Sequence, residues 1–225
     1  MYRVFNILVA AAGLMILSPV FAVAALAIKR DDGGPVFYEQ ARVGQGFRTF
    51  RMLKFRSMAQ GAERAGLLTA PSDSRVTRIG RVLRKYKLDE LPQLWSVLKG
   101  DMQLIGPRPE VERYVEIYRE QYAVLLKDPP GITDPASLAY RREEELFHAE
   151  RMEEQYISQI LPDKLRLSLE YQRRRNFFSD LGILCDTLLG LPKPERPASS
   201  LFSQSGRASD PGCPRAPIDS SPRPR

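Results

Sequence analysis

The sequence predicts an α+β fold that is mainly α: an apolar N-terminal helix, amphipathic helices suited to an interface, and one small β-hairpin. Three observations carry this. Val4 to Ile28 are 25 consecutive residues without a charge, more than a bilayer core needs at about 1.5 Å per residue. Two short runs of strand-forming residues flank Gly44-Gln45-Gly46, as in a hairpin. Apolar residues then recur at helical spacing through Ile79, Val82, Leu83 and Tyr86, and again through Leu91, Leu94, Trp95 and Leu98.

A length of 225 residues suits one compact domain with appendages. The organisation expected is an apolar segment over 1–28, a body over 29–191 and a tail over 192–225. From Lys193 onward 14 of 33 residues are Pro or Ser, too few apolar groups to offset the entropy of folding, so the tail is expected to be disordered.

The N-terminal segment has two physical readings. Pro19, after Ser18 in the middle of the run, removes a backbone donor and clashes with the preceding turn. A spanning helix tolerates such a kink, and a sharper bend would return the chain to the face it entered. A cleaved signal peptide fits poorly, because the run is long and only Arg3 precedes it. Lys29 and Arg30, directly after it, favour a cytoplasmic body.

Net charge is +7, and Lys29 to Arg108 hold 16 Lys/Arg against 8 Asp/Glu. That surplus implies an anionic partner: nucleic acid, anionic lipid or phosphorylated small molecules. Cys185 and Cys213 lack metal-ligand spacing, and a single histidine, His148, nearly excludes a His-based triad or a His-rich zinc site.

Along the body, Pro35–Tyr38 and Phe47–Phe55 are expected as strands. On the second, Arg48, Lys54 and Arg56 share a face with Phe50 and Met52, while Arg51 points the other way with Leu53 and Phe55. Residues 59–74 read as a loop or short helix. Residues 76–87 form an amphipathic helix with a basic outer face, and the next helix stops at Gly100. Beside an apolar segment, both helices suit anionic headgroups.

Between them lies Leu88-Asp89-Glu90-Leu91-Pro92-Gln93-Leu94, directly after Arg81, Arg84, Lys85 and Lys87. In one reading Asp89 is an ordinary N-cap, with Pro92 in the tolerant first turn. In the other, adjacent carboxylates among cations await a phosphate-bearing substrate with a divalent metal.

Gly106-Pro107-Arg108-Pro109-Glu110 holds Arg108 stiffly between two prolines. Such a guanidinium suits bidentate phosphate recognition or a structural carboxylate pair. Pro109 is expected to open a helix to about Lys127 that buries Val111, Tyr114, Val115, Tyr118 and Tyr122. Asp128 to Gly131 read as a turn. Residues 141–154 read as a charged helix with Glu143, Glu144 and Glu145 solvated and His148 on the surface. Lys164–Arg175 read as a basic helix, and Asp180–Leu189 as an amphipathic one closed by Gly190.

The ordered series of motifs resembles the bacterial sugar transferase family, the monotopic polyprenyl-phosphate phosphoglycosyl transferases of the small form. It runs from Ser18-Pro19 through Gly34-Pro35-Val36-Phe37, Gln40 to Gly44, Met52 to Met58 and Arg75 to Gly80. Leu88 to Leu94, Gly106 to Pro109 and Pro130 to Thr133 complete it, and the likeness extends to about residue 191. The resemblance implies transfer of a sugar-1-phosphate from a UDP-sugar to undecaprenyl phosphate, releasing UMP, as the first membrane step of surface glycan or exopolysaccharide assembly. It implies a re-entrant helix broken at Ser18 and Pro19, where the apolar run taken by itself favours a spanning one. The catalytic body would then face the cytoplasm at the bacterial inner membrane.

The resemblance further implies that Asp89 attacks the donor phosphorus to form a covalent phosphosugar. Glu90 would assist, the pair holding Mg2+ or managing protons. Lys54, Arg56, Arg84 and Arg108 are the candidates for gripping phosphates or the nucleotide. Carboxylates do act as nucleophiles toward phosphoryl groups, magnesium favours one or two carboxylates plus substrate phosphates, and surrounding cations are expected to keep Asp89 ionised. The expected partners are the UDP-sugar donor, the undecaprenyl phosphate acceptor and an anionic bilayer, with no nucleic acid; a homodimer is compatible with the sequence.

The chain departs from the family pattern at Asp134-Pro135-Ala136-Ser137-Leu138-Ala139-Tyr140-Arg141, where Arg141 is the candidate for the family's usual arginine. Ser168 stands where many members carry an acid, with Tyr171 retained. Three rivals remain. Asp89 could act as a general base in a single ternary complex. The chain could be a basic membrane-anchored scaffold recruiting partners through its tail. Nucleic-acid binding would explain the charge but not the apolar N-terminus.

Overall fold

The structure, a computed structural model, describes residues 2–70, 73–147 and 151–190. The expected tail over 192–225, His148 and Cys213 lie outside the described residues.

The apolar segment is two helices, α1 (Tyr2–Ile16) and α2 (Ser18–Asp32), bent by 59° at Leu17. Pro19 sits in the first turn of α2, where a missing donor costs nothing, and Ser18 Oγ donates to the Met15 carbonyl across the break (2.8 Å). Among the described residues no single helix is long and apolar enough to cross a bilayer, although the bent pair together is. Both ends of the pair are pinned to the body. The Arg3 guanidinium donates to the carbonyls of Val97 (2.7 Å) and Leu98 (2.9 Å), and Asn6 Oδ1 accepts from the Leu104 N–H. At the other end Asp31 accepts from the Ile79 N–H (3.2 Å) and Asp32 pairs with Arg56. Near the bend Met15 and Ile16 are 76% and 74% exposed.

The hairpin forms as β1 (Phe37–Val43) and β2 (Thr49–Phe55), antiparallel, with Phe37 opposite Phe55 and Val43 opposite Thr49. The first strand runs further than Tyr38. The second begins after Phe47, whose φ of 62° places it in the turn with Gly46. The period of two separates the strand's buried side chains. Met52 joins a core with Ala10, Val97 and Leu104, while Phe55 packs with Ala24, Ile28 and Leu83 under α2.

Helix α3 (Arg78–Lys85) starts at Thr77, whose side chain accepts from the Gly80 N–H. Gly80 can only be glycine, since a Cβ there would lie 1.9 Å from the Ser57 carbonyl oxygen. A tight 3-10 turn over Leu88–Glu90 leads to α4 (Gln93–Lys99), which ends at left-handed Gly100. Instead of a plain turn, Pro130-Gly131 enters a short strand. β3 (Gln103–Ile105) and β4 (Gly131–Thr133) pair in parallel.

The single helix expected from Pro109 is two shorter ones, α5 (Glu112–Ile117) and α6 (Arg119–Leu125), with Tyr118 out of helical geometry between them. The start is delayed because the Glu110 carbonyl is used by the Val43 N–H at the end of β1 (2.9 Å). Tyr114, Val115 and Tyr122 are buried as expected.

Asp134 caps α7 (Pro135–Ala139) and accepts from the buried Ser168 hydroxyl. The charged helix expected over 141–154 does not form. A 3-10 turn covers Glu143–Leu146, and α8 is only Met152–Gln155. The acids there are not simply solvated, because Glu143 binds Lys164 (2.7 Å) and Glu144 pairs with Arg84. Those contacts and the buried Phe147 hold the segment off a helical repeat. A π-helical turn, Tyr156–Ile160, enters α9 (Leu161–Arg174). Helix α10 (Phe177–Leu189) follows, opened by an Asn176/Ser179 capping box and closed by Gly190.

Candidate active site

A cleft of about 1010 Å³ opens beside the Leu88–Glu90 turn. One flank is apolar, with Val9, Gly13 and Ile16 of α1, Leu94 of α4, and Leu184 and Leu188 of α10. Its interior is charged, with Lys54, Lys87, Asp89, Glu90 and Arg108.

The turn places the acids. Lys87 takes a left-handed φ of 56°, a conformation that is costly for a residue with a Cβ and is tolerated where the surroundings impose it. The chain then tightens, with the Leu91 N–H bonded to the Leu88 carbonyl (3.2 Å). Asp89 caps no helix, because Pro92 holds the cap position of α4. The residue is 7% exposed, and Oδ1 is buried with no hydrogen-bond partner among the described residues.

Glu90, next in sequence, is fully engaged. Arg108 Nη1 donates to its Oε2 (3.0 Å), Arg108 Nη2 pairs with Oε1, and Lys54 Nζ lies 3.5 Å from Oε1. The two acids therefore titrate in opposite directions. Burial pushes the Asp89 carboxyl up and the Glu90 charge adds to the effect, with Lys54, Arg84 and Lys87 offsetting it only in part. Burial also acts on Glu90, but Arg108 and Lys54 outweigh it and hold that carboxyl well below the usual range. The clustered cations do favour the Asp89 charge, as expected, but burial and Glu90 outweigh them in the direction of the shift, and Lys54 and Arg108 pair with Glu90. Lys54 is itself lowered by burial, against the pull of Glu90.

Among the residues anticipated from sequence, Lys54, Asp89, Glu90 and Arg108 meet at one point. Arg84 lines the cleft but pairs with Glu144. Arg56 also lines it, yet its guanidinium is occupied by Asp32 and by the carbonyl of Pro35 (2.6 Å). Arg141 lies on the cleft wall. Ser18 and Pro19 form the bend, next to cleft-lining Leu17.

Three features went unmarked. Lys87 lines the cleft, and its place at the end of the basic run, two residues before Asp89, was the available signal. Half-buried Glu110 accepts from Arg42 (3.0 Å) and from the Tyr156 hydroxyl (2.6 Å). Gln93, at the start of α4, is 1% exposed with neither side-chain polar atom bonded among the described residues.

No cluster of three or more His, Cys, Asp or Glu side chains suited to a metal exists among the described residues. Magnesium fits nonetheless, because it needs only one or two carboxylates beside substrate phosphates. The unpartnered Asp89 Oδ1 is the available ligand. Glu90 would first have to leave Arg108.

The chain is similar to sugar-phosphate transferases. It is 50% identical over 144 residues to the UDP-N-acetylgalactosamine-undecaprenyl-phosphate N-acetylgalactosaminephosphotransferase of Aeromonas hydrophila, covering 61% of this chain and 34% of the relative. It is 39% identical over 140 residues to the UDP-glucose:undecaprenyl-phosphate glucose-1-phosphate transferase of Caulobacter vibrioides, covering 60% of this chain and 52% of the relative. With EpsL, an uncharacterized sugar transferase of Bacillus subtilis, identity is 37% over 187 residues, 83% of this chain and 84% of the relative. The match thus spans about a third of the Aeromonas protein and about half of the Caulobacter one. The family model described as bacterial sugar transferase matches residues 1–193, and this chain belongs to that family.

Proposed function

We propose that this protein transfers a sugar-1-phosphate from a UDP-sugar to undecaprenyl phosphate and releases UMP, starting surface glycan assembly at the cytoplasmic face of the bacterial inner membrane. The observation that carries the proposal is the placing of Asp89. A buried carboxylate oxygen with no partner among the described residues feels Lys54, Arg84 and Lys87, next to the Glu90–Arg108 pair, in a cleft that is also lined by apolar side chains. A diphosphate-linked donor suits the cations and a lipid acceptor suits the apolar side chains.

In the first step an Asp89 oxygen attacks the phosphorus that bears the sugar. The bond to the UMP oxygen breaks, and UMP leaves with that electron pair. In the second step an oxygen of the lipid phosphate attacks the same phosphorus and the Asp89 carboxylate departs, giving a lipid diphosphate sugar. Lys54, Lys87 and Arg108 stabilise charge on the transferring group, which is where phosphoryl transfer draws most of its acceleration. Burial of Asp89 strengthens each of these attractions. Magnesium, when bound, would neutralise part of the diphosphate charge, with Asp89 and a released Glu90 as its protein ligands.

The bent helix pair supports a re-entrant placement. Each 15-residue arm is about 22 Å long, so a bend of 59° lifts the apex only about 11 Å above the line joining the ends. That depth is within one leaflet of a hydrocarbon core of about 30 Å. Both ends are tied to the same body through Arg3 and Asp31, with bare Met15 and Ile16 near the apex.

The test is UMP release by purified protein in detergent, with undecaprenyl phosphate, magnesium and a panel of UDP-sugars. Release dependent on one UDP-sugar, with label moving into the lipid fraction, is expected. No release across the panel would refute the proposal and favour the scaffold reading.

A further inference from the structure

The cations of the cleft divide by what already holds them. Lys54 and Arg108 are held by Glu90, Arg84 by Glu144, Arg42 by Glu110, Lys164 by Glu143 and Arg56 by Asp32. Among the described residues, the side chains of Lys87 and Arg141 line the cleft with no hydrogen bond or ion pair. Lys87 belongs to the turn that carries Asp89. Arg141 stands elsewhere, after α7 and against the end of α10. Its two terminal nitrogens lie 3.7 Å from where a Cβ on Gly190 would begin.

That position is the end of the apolar flank. Leu184, Thr187 and Leu188 of α10 line the cleft up to Gly190, alongside Val9 and Gly13 of α1. Leu188 and Leu189 are also bare on the outer surface, at 77% and 71% exposure. A guanidinium at a helix C-terminus gains from the helix dipole. The dipole accounts for its place but not for its lying in the cleft, free of any carboxylate, where exposed leucines meet the charged interior. A single phosphate on a long apolar chain matches that junction. The chain would lie along Leu184, Leu188 and α1, and the phosphate would take the two parallel donors of the guanidinium.

We infer that Arg141 binds the phosphate of the lipid acceptor, apart from Lys54 and Arg108, which serve the donor. This rests on the proposed transfer to a polyprenyl phosphate. It also separates the two substrates by chemistry: donor cations start out neutralised by Glu90, whereas the acceptor cation stands open.

The experiment compares wild type with Arg141→Gln and Arg141→Lys. With UDP-sugar alone, the burst of UMP should be unchanged within about twofold in both variants. In full turnover, the KM for undecaprenyl phosphate should rise at least tenfold in Arg141→Gln and less in Arg141→Lys, with donor KM unaltered. A slowed burst, a raised donor KM, or an unchanged acceptor KM would overturn the inference. A fall in thermal midpoint with acceptor KM unchanged would leave Arg141 only a helix-end cation and would also overturn it. A second arm needs no turnover and compares binding of undecaprenyl phosphate and undecaprenol in detergent micelles. Wild type should prefer the phosphate and Arg141→Gln should lose that preference. If the preference persists, the inference fails whatever the catalytic assays show. If wild type releases no UMP, the transfer reaction fails separately.

Discussion

Arg108 closes on both carboxylate oxygens of Glu90 while Asp89, the adjacent residue, keeps Oδ1 without a hydrogen bond. Two neighbouring acids in one cleft are thereby set apart. Glu90 is an anion held by cations, and Asp89 is a desolvated group whose charge is disfavoured until something arrives to receive it. Environments that push paired carboxyls in opposite directions divide labour between them, and on the proposed covalent route that division is between a nucleophile and its organiser.

The first prediction concerns stability and pH. Asp89 has a folded-state pKa raised above its unfolded value, so its contribution is favourable below the unfolded value and is lost as pH rises through the folded one. Asp89→Asn removes the buried charge and should stabilise the protein at pH 8 by about 1–2 kcal/mol. The gain should shrink as pH falls through the raised folded-state value toward the ordinary one near 3.8. Thermal midpoints of both proteins across that range check the sign; a variant less stable than wild type at pH 8 would contradict it.

Glu90 holds Arg108 and Lys54, so on the proposed reading it competes with the donor diphosphate for them. Without magnesium, Glu90→Gln should therefore bind UDP several-fold more tightly than wild type, while its turnover falls to a weak residue. Titration calorimetry in excess chelator reads the first effect. Unchanged or weaker UDP binding would show that the pair does not block the anion site.

Arg56 is predicted to matter for the fold more than for the donor. Its pair with Asp32 fastens the end of α2, and the Arg56 hydrogen bond lowers the Asp32 pKa to about 2. That stabilisation is present above the ordinary value near 3.8 and is lost as pH falls toward about 2. Arg56→Gln should cost about 2 kcal/mol, or roughly 4–8 °C in midpoint. Its donor KM should change less than twofold, whereas Arg108→Gln should raise donor KM at least tenfold. Paired melting and kinetic measurements separate the two arginines.

Much of this was legible in the sequence because it rests on local chemistry. Gly44-Gln45-Gly46 announced the hairpin, the spacing of Ile79 to Tyr86 announced α3, and Gly100 marked the end of α4. The meeting of Lys54, Asp89, Glu90 and Arg108 followed from the family resemblance, since it draws on three segments. What escaped was set by long-range partners. Nothing near residue 144 indicates that Glu144 reaches Arg84, 60 positions away, so residues 141–154 looked like a solvated helix. The delayed start of α5 has the same origin, in a backbone bond from Val43 to Glu110. Asp89 was expected to have its charge favoured because its neighbours in sequence are basic; burial and the adjacent Glu90 charge push its carboxyl up instead, and Glu90 holds Lys54 and Arg108.

Topology gives a further prediction. Arg3 and Asp31 tie opposite ends of the bent pair to one body, so a cysteine placed at Tyr2 should be accessible from the face that carries the body. In membrane vesicles of a Cys185→Ser, Cys213→Ser background, an impermeant maleimide should label Tyr2→Cys only in inside-out preparations. Labelling only in right-side-out vesicles would show that the pair spans.

The most direct measurement is mass mapping of the protein after brief incubation with labelled UDP-sugar and no lipid acceptor. The covalent route predicts one phosphosugar on the peptide holding Asp89, matched by one UMP released per protein, and neither in Asp89→Asn. UMP that appears only once undecaprenyl phosphate is added, with no mass gained by that peptide, would contradict it and make Asp89 a base.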